Sequence, residues 1–394
     1  MKLIPKRLFW GANAGQTALP VQTQRQVHLA IAEHNLAGRV IDQRRALRVV
    51  VNLFAAHAWD RATAFLFQLG RNVNEPAHAR AFDLVALFFR EQCPKDAPLA
   101  FRIVLRGVQI RILTFLARDA CTFVADLDNA IAEAKGAKEL SLAVGVLWLV
   151  GVLNPAASAT ALARSALRSF RISEQLPNEL FFPPEKLAPL VWAALPRVKT
   201  QEDIRAILAV FREMTADERR ASFQDEGEHS GPVLLADRCT SLEFEKVEAD
   251  HDWPAAVTLL NEMLAVAALP GAKRLEAPTV RAKARVLADH LGQPQEALVL
   301  LDEAANCADR DGRFLLNDTA GALLLAYGTP EGALERYERA LGEGVTGYSH
   351  LRFDTLRWAS EAAGKSGRWE QARNFAIQGS SYTDPARFLL SALS

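Results

Sequence analysis

Four short segments in the C-terminal part of the chain repeat one spacing, and this spacing admits few folds. They are Trp253-Pro254-Ala255-Ala256, Gly292 to Ala297, Gly328 to Ala333 and Gly367 to Ala372. In all four, a Trp or Pro stands three residues before the last Ala. In three, a Gly stands five before it. The intervals from Ala256 to Ala297, Ala333 and Ala372 are 41, 36 and 39 residues. A period of this length is the signature of stacked helical hairpins, each too small to bury its own apolar face. The pattern speaks to architecture more than to chemistry, and it favours binding over catalysis.

Apolar residues recur at helical spacing almost everywhere, and no segment reads as a strand. The periodicity predicts helices near 21–35, 39–57, 60–71, 76–91, 97–117, 119–135, 137–153 and 155–171. A helix opened by Pro183 and Pro184 runs to Leu195, and two more fall near 200–213 and 215–224. The polar stretch 225–232, with Gly227, Gly231 and Pro232, reads as a loop or subdomain boundary. Helix pairs then follow at 233–249 with 253–268, 278–291 with 294–308, 313–327 with 330–342, and 349–366 with 369–379. A last short helix is expected at 385–393. The expected fold is therefore all-α. It is an α-solenoid of antiparallel hairpins, with an irregular region over 1–224 and regular hairpin repeats over 233–394.

The small residues have mechanical roles in this reading. An Ala where two helices cross lets their backbones approach, while Leu298, Leu334 or Tyr337 fills the flank. Gly292, Gly328 and Gly367 fall where a first helix ends in a left-handed cap. Pro294 and Pro330 suit the first turn of the second helix. With the turn Gly, the following Trp or Pro, the signature Ala and the later small residues Ala304 and Ala340, the C-terminal third resembles tetratricopeptide repeats. Ala333 to Leu341 is the closest single match, and Gly321 fits the small position of a first helix. The intervals are longer than the usual repeat, and no Pro follows Leu341 or Cys307. Trp59, Ala62 and Phe65 echo the spacing of Trp369, Ala372 and Phe375. The resemblance implies a groove lined by the first helix of each hairpin, with Arg281, Arg285, Asn317, Arg352 and Arg357 placed to clamp a peptide backbone or carboxylate. It implies a protein-binding scaffold, adaptor or sensor. Arrays of this kind also resemble the sensor arms of bacterial signalling and defence assemblies.

The chain has 394 residues, half of them apolar, enough to build such a stack and unlike a disordered composition. Cys93, Cys121, Cys239 and Cys307 are scattered, which reads as reduced, mostly buried thiols in a cytoplasmic protein. The sequon Asn317-Asp318-Thr319 then lies uselessly inside a helix. No charged residue occurs from Leu140 to Ala163, yet Asn154-Pro155 breaks the run before it reaches a membrane-spanning length. A buried central helix is the expectation there. The net charge of zero conceals a balance of +7 over residues 1–140 and −6 over 241–394. Such polarity suits an anionic partner at one end or head-to-tail self-association, as well as ordinary solvated helix faces.

Catalytic and metal motifs are weak. Gly342 to Gly347 matches a dinucleotide-binding glycine pattern but follows a helix rather than a strand. Gly11 to Thr17 lacks the lysine of a phosphate loop. His229 and His251 each stand beside acids, without a recognised ligand spacing. No catalytic residue, metal site or cofactor is expected, and an enzyme built from distant residues ranks last. The alternative to a protein-binding scaffold is a nucleic-acid-associated regulator. It would grip phosphates through Arg44, Arg45 and Arg48, with Arg39, Arg102, Arg106, Arg111 and Arg118 adding to a basic N-terminal surface. Trp59, Trp192, Trp253, Trp358 and Trp369 are expected to pack within hairpins rather than to stack on bases.

Overall fold

The structure is a computed structural model that describes residues 19–37, 43–86, 93, 96–176, 191–223, 231–241, 252–343 and 349–380. Among these residues the fold is all-helical, with no strand, and successive helices pack against their neighbours in chain order. The chain separates into two compact units, residues 1–156 and 157–394. The boundary expected at 225–232 lies inside the second unit, and Gly231 and Pro232 already belong to a helix. Of the helix expected from Pro183 to Leu195, residues 183–190 lie outside the described residues, and Leu195 opens a short 3-10 turn, Leu195–Arg197. The last helix at 385–393, His229, His251 and Gly344 to Gly347 also lie outside them.

The first unit holds α1 (Val21–Leu36), α2 (Gln43–Ala55), α3 (Trp59–Asn72), α4 (Pro76–Ala81), α5 (Asp83–Ala86), α6 (Leu99–Phe115), α7 (Cys121–Glu133) and α8 (Ala137–Leu147). The centre of this unit is α6, which packs on α3, α5, α7 and α8 and buries nearly every residue from Ala100 to Leu113. The apolar run around 140–153 does form a largely buried helix, α8, but it flanks α6 rather than forming the centre. It ends in a π turn, Trp148–Val152. Among the described residues no helix is long and apolar enough to cross a membrane. The crossing of α6 and α8 requires Gly107, because a Cβ there would lie 2.3 Å from Val146 Cγ1.

Two arginines on α6 are interior. Arg111 is 1% exposed, and among the described residues its partners are oxygens of carbonyls and an amide rather than a carboxylate. Its guanidinium donates to carbonyls left open where helices end. Nε reaches Val73 O at 2.8 Å, Nη1 reaches Leu149 O and Leu153 O (the latter at 2.9 Å), and Nη2 reaches Asn74 Oδ1 at 3.2 Å. The negative ends of α3 and of the α8 π turn thus converge on one cation. Arg106, 3% exposed, pairs with Asp126 at 2.8 Å, donates to Gln109, and lies over the Phe123 ring.

The second unit opens with α9 (Ala159–Ser173), α10 (Gln201–Glu213) and α11 (Ala216–Ser222). Thr200 and Thr215 start α10 and α11 with reciprocal capping boxes through Asp203 and Glu218. Trp192 packs on Phe211 and Phe223 and donates to Ser222 O at 2.8 Å. Buried Arg219 ties this layer to the next by donating to Phe211 O, Met214 O and Pro270 O. Gly271 takes φ +87° there, and a Cβ would stand 2.1 Å from Ala216 O.

Four helix pairs follow: α12 (Gly231–Ser241) with α13 (Trp253–Ala267), α14 (Glu276–Arg285) with α15 (Pro294–Cys307), α16 (Arg310–Tyr327) with α17 (Pro330–Gly342), and α18 (Ser349–Lys365) with α19 (Trp369–Ser380). The last turn of α14 widens into a π turn, Val286–His290. Each helix from α13 onward packs on the next, and α14 also touches α16, which touches α18, so first helices lie side by side. Ala297, Ala333 and Ala340 are fully buried at the crossings, and Ala256 is 2% exposed. Tyr337, also fully buried, lies across α16 at Gly321, where a Cβ would be 2.7 Å from its ring. Burial of each such large side chain contributes about 1.5–3 kcal/mol.

The turn glycines divide into two kinds. Gly292 and Gly367 take the left-handed conformation expected of them, at φ +65° and +73°. Gly328 does not. Its φ is −125°, and the demand there is close approach, since a Cβ would meet Leu324 Cδ2 at 2.8 Å.

Candidate binding face

The candidate face of the second unit is built by α14, α16 and α18. Arg281 and Arg285 stand one turn apart on α14, the first half-buried and the second exposed. Across from them, on α16, is Asp318, whose carboxyl is within the electrostatic reach of both arginines and of Asp354 on α18. Burial pushes the Asp318 carboxyl up to about 6, and Asp354 adds to the shift. The Thr355 hydroxyl at 2.7 Å and the charges of Arg281 and Arg285 oppose it. Tyr337 of α17 lies behind this cluster. Its hydroxyl is buried with no hydrogen-bond partner among the described residues, and burial together with Asp318 and Glu361 raises its pKa.

The residues named from sequence divide accordingly. Arg281 and Arg285 come together with Asp318. Asn317 does not join them, being 6% exposed and turned into the packing. It donates to Arg313 O at 2.9 Å and accepts from Arg336 Nη1 at 3.3 Å, while Arg336 also pairs with Asp302. The sequon thus lies within α16, with Asn317 and Thr319 both buried. Arg352 is half-buried on α18, and Arg357 is exposed there with its guanidinium over the neighbouring Trp358 ring. Asp318 escaped the sequence reading, although it is the next residue after Asn317. On a helix one position is a rotation of about 100°.

The basic N-terminal surface is smaller than expected. Arg44 and Arg48 are exposed on α2 and Arg45 is half-buried, whereas Arg39 lies outside the described residues. The other four arginines are engaged within the unit. Arg102 pairs with Glu133, Arg106 with Asp126 and Arg118 with Asp83, and Arg111 serves the helix-end carbonyls.

Two further expectations are corrected. The thiols are not mostly buried: Cys121 and Cys307 are exposed, Cys93 is intermediate, and only Cys239 is buried. Burial pushes the Cys239 thiol up to about 12, which leaves it inert. Trp59 packs on Phe54 and Phe101, and Trp253 stacks on His290 with planes 5° apart, but Trp369 is 72% exposed. Among the described residues no three His, Cys, Asp or Glu side chains are grouped as metal ligands. No family model fits the chain, and no curated protein matches it in sequence.

Proposed function

We propose that this chain is a non-catalytic, tetratricopeptide-like interaction scaffold, adaptor or sensor that holds a peptide segment of a protein partner on the α14–α16–α18 face. The observation that carries this reading is the side-by-side stacking of these first helices, with Arg281 and Arg285 a turn apart beside a carboxylate on the next layer. Such a row presents fixed charges to an extended partner, and guanidinium groups suit its carboxylates. A place in a larger signalling or defence assembly, with another subunit supplying the chemistry, rests on the resemblance of such arrays to sensor arms.

The test is affinity purification of the chain from its native cell, with and without nuclease, followed by mass spectrometry. A stoichiometric protein that survives nuclease supports the scaffold. Recovery that collapses with nuclease contradicts it and favours phosphate binding through Arg44, Arg45 and Arg48.

A further inference from the structure

In the three helix pairs before the last, the second helix packs against the first helix of the next pair: α13 against α14, α15 against α16, and α17 against α18. Among the described residues, no element follows α19 to cover it in the same way. Its inner side sets Ala372 and Phe375 against the core around Tyr337 and Ala359. Its outer side carries Trp369, Arg373 and Ile377, spaced by four residues and so on one stripe of the helix. Trp369 is 72% exposed and Ile377 56%. Trp253 shows what such a position meets when the next first helix is present. It stands three residues before Ala256, as Trp369 stands before Ala372. Its ring stacks on His290, at the far end of the next first helix, with centroids 3.6 Å apart.

The sequence supplies a segment of the right kind in the right place. First helices begin at Glu276, Arg310 and Ser349, steps of 34 and 39 residues. A further step of 36 from Ser349 reaches Pro385. Asp384 and Pro385 are the residue types that open a helix, at the cap and at the first position. Beyond them Arg387 and Ser391 fall four apart and Ser394 three further on, so these polar residues share one helical stripe. Phe388, Leu389, Ala392 and Leu393 occupy the other side. Such a helix offers an apolar side to α19 and a polar one to water. Only residues 381–384 separate it from α19, a connection within the usual range of about 2–8 residues between packed helices. Over so short a tether the segment is present at an effective concentration on the order of millimolar, ahead of a free helix. A helix over 385–393 spans about 13 Å, against about 18 Å for the 12 residues of α19. Antiparallel to α19, it therefore covers Ile377 first and brings Leu393 toward Trp369.

We propose that the outer side of α19 is a helix-docking surface, and that its occupant is residues 385–393 of the same chain, antiparallel to α19 as the first helix of a fifth pair. Phe388 and Leu389 pack on Ile377, and the far end of the segment shields Trp369. This docking is independent of the scaffold reading, and it adds a fourth first helix to the row formed by α14, α16 and α18.

The test is hydrogen exchange read by mass spectrometry on the full chain purified alone, with a free peptide of residues 381–394 as reference. Amides of 389–393 should exchange at least about tenfold more slowly in the chain than in the peptide. Equal rates overturn the proposal and leave α19 open to a helix of another protein. Ile377→Asp puts a carboxylate on the docking surface at an exposed position, so α19 itself keeps its packing on α18. It should bring 389–393 to the peptide's rate while exchange within α18 stays unchanged. Protection that survives Ile377→Asp places the segment elsewhere and overturns the docking site. Phe388→Asp combined with Leu389→Asp should abolish the protection from the other side of the contact. Dilution separates the source of the helix. Protection independent of concentration is expected, whereas protection lost on dilution assigns the helix to a second copy and overturns docking within one chain.

Discussion

At the residue scale, single side chains close the helix ends and set the crossings. Arg111 is the clearest case, one buried cation serving carbonyls from two helix ends. Arg111→Met keeps much of the bulk but leaves those carbonyls without a donor. It should cost about 3 kcal/mol, read as a lower urea midpoint for the first unit. A midpoint within error of the unchanged chain would show that the carbonyls find other partners. Gly321→Val should cost about 1–3 kcal/mol, because its side chain would occupy the space of the Tyr337 ring. The Gly321 role was legible in the sequence, since it follows from a spacing within one hairpin. The role of Arg111 was not. Its partners lie 37 to 42 residues away, and helical periodicity does not say which charged side chains meet buried acceptors. The same limit hid Asp318, whose environment is made by two other helices.

At the element scale, most helices fall where apolar periodicity and end signals place them. The expected helix at 330–342 matches α17, and those at 60–71 and 200–213 match α3 and α10 to within a residue at each end. Regular periodicity cannot foresee the π turns at Trp148–Val152 and Val286–His290, which insert a residue without disturbing composition. The cap of α11 offers a pH test. The Arg171 guanidinium beside Glu218 holds its carboxyl below the usual range, helped by hydrogen bonds from Thr215 and opposed by burial. The folded pKa lies below the unfolded one, so this contribution is present above the ordinary carboxylate range and is lost as pH falls through the depressed value. Glu218→Gln should therefore lower the urea midpoint clearly near pH 7 and progressively less towards pH 3. An equal loss at both values would assign the residue to packing alone. Thr215→Ala at the same cap should cost about 1 kcal/mol.

At the scale of the whole molecule, the second unit is a row of helix pairs that places charged side chains from separate layers on one face. The first unit spends its central arginines internally. This asymmetry is why the scaffold reading centres on Arg281 and Arg285 rather than on the N-terminal basic residues. The most direct test is a binding measurement on the partner recovered by purification, comparing the unchanged chain with Arg281→Ala, Arg285→Ala. The double variant should keep its helicity by circular dichroism and lose at least about tenfold in affinity, the scale of one charge-assisted contact of 1.5–3 kcal/mol. Unchanged affinity in a folded double variant would contradict the α14–α16–α18 face as the place where this chain binds.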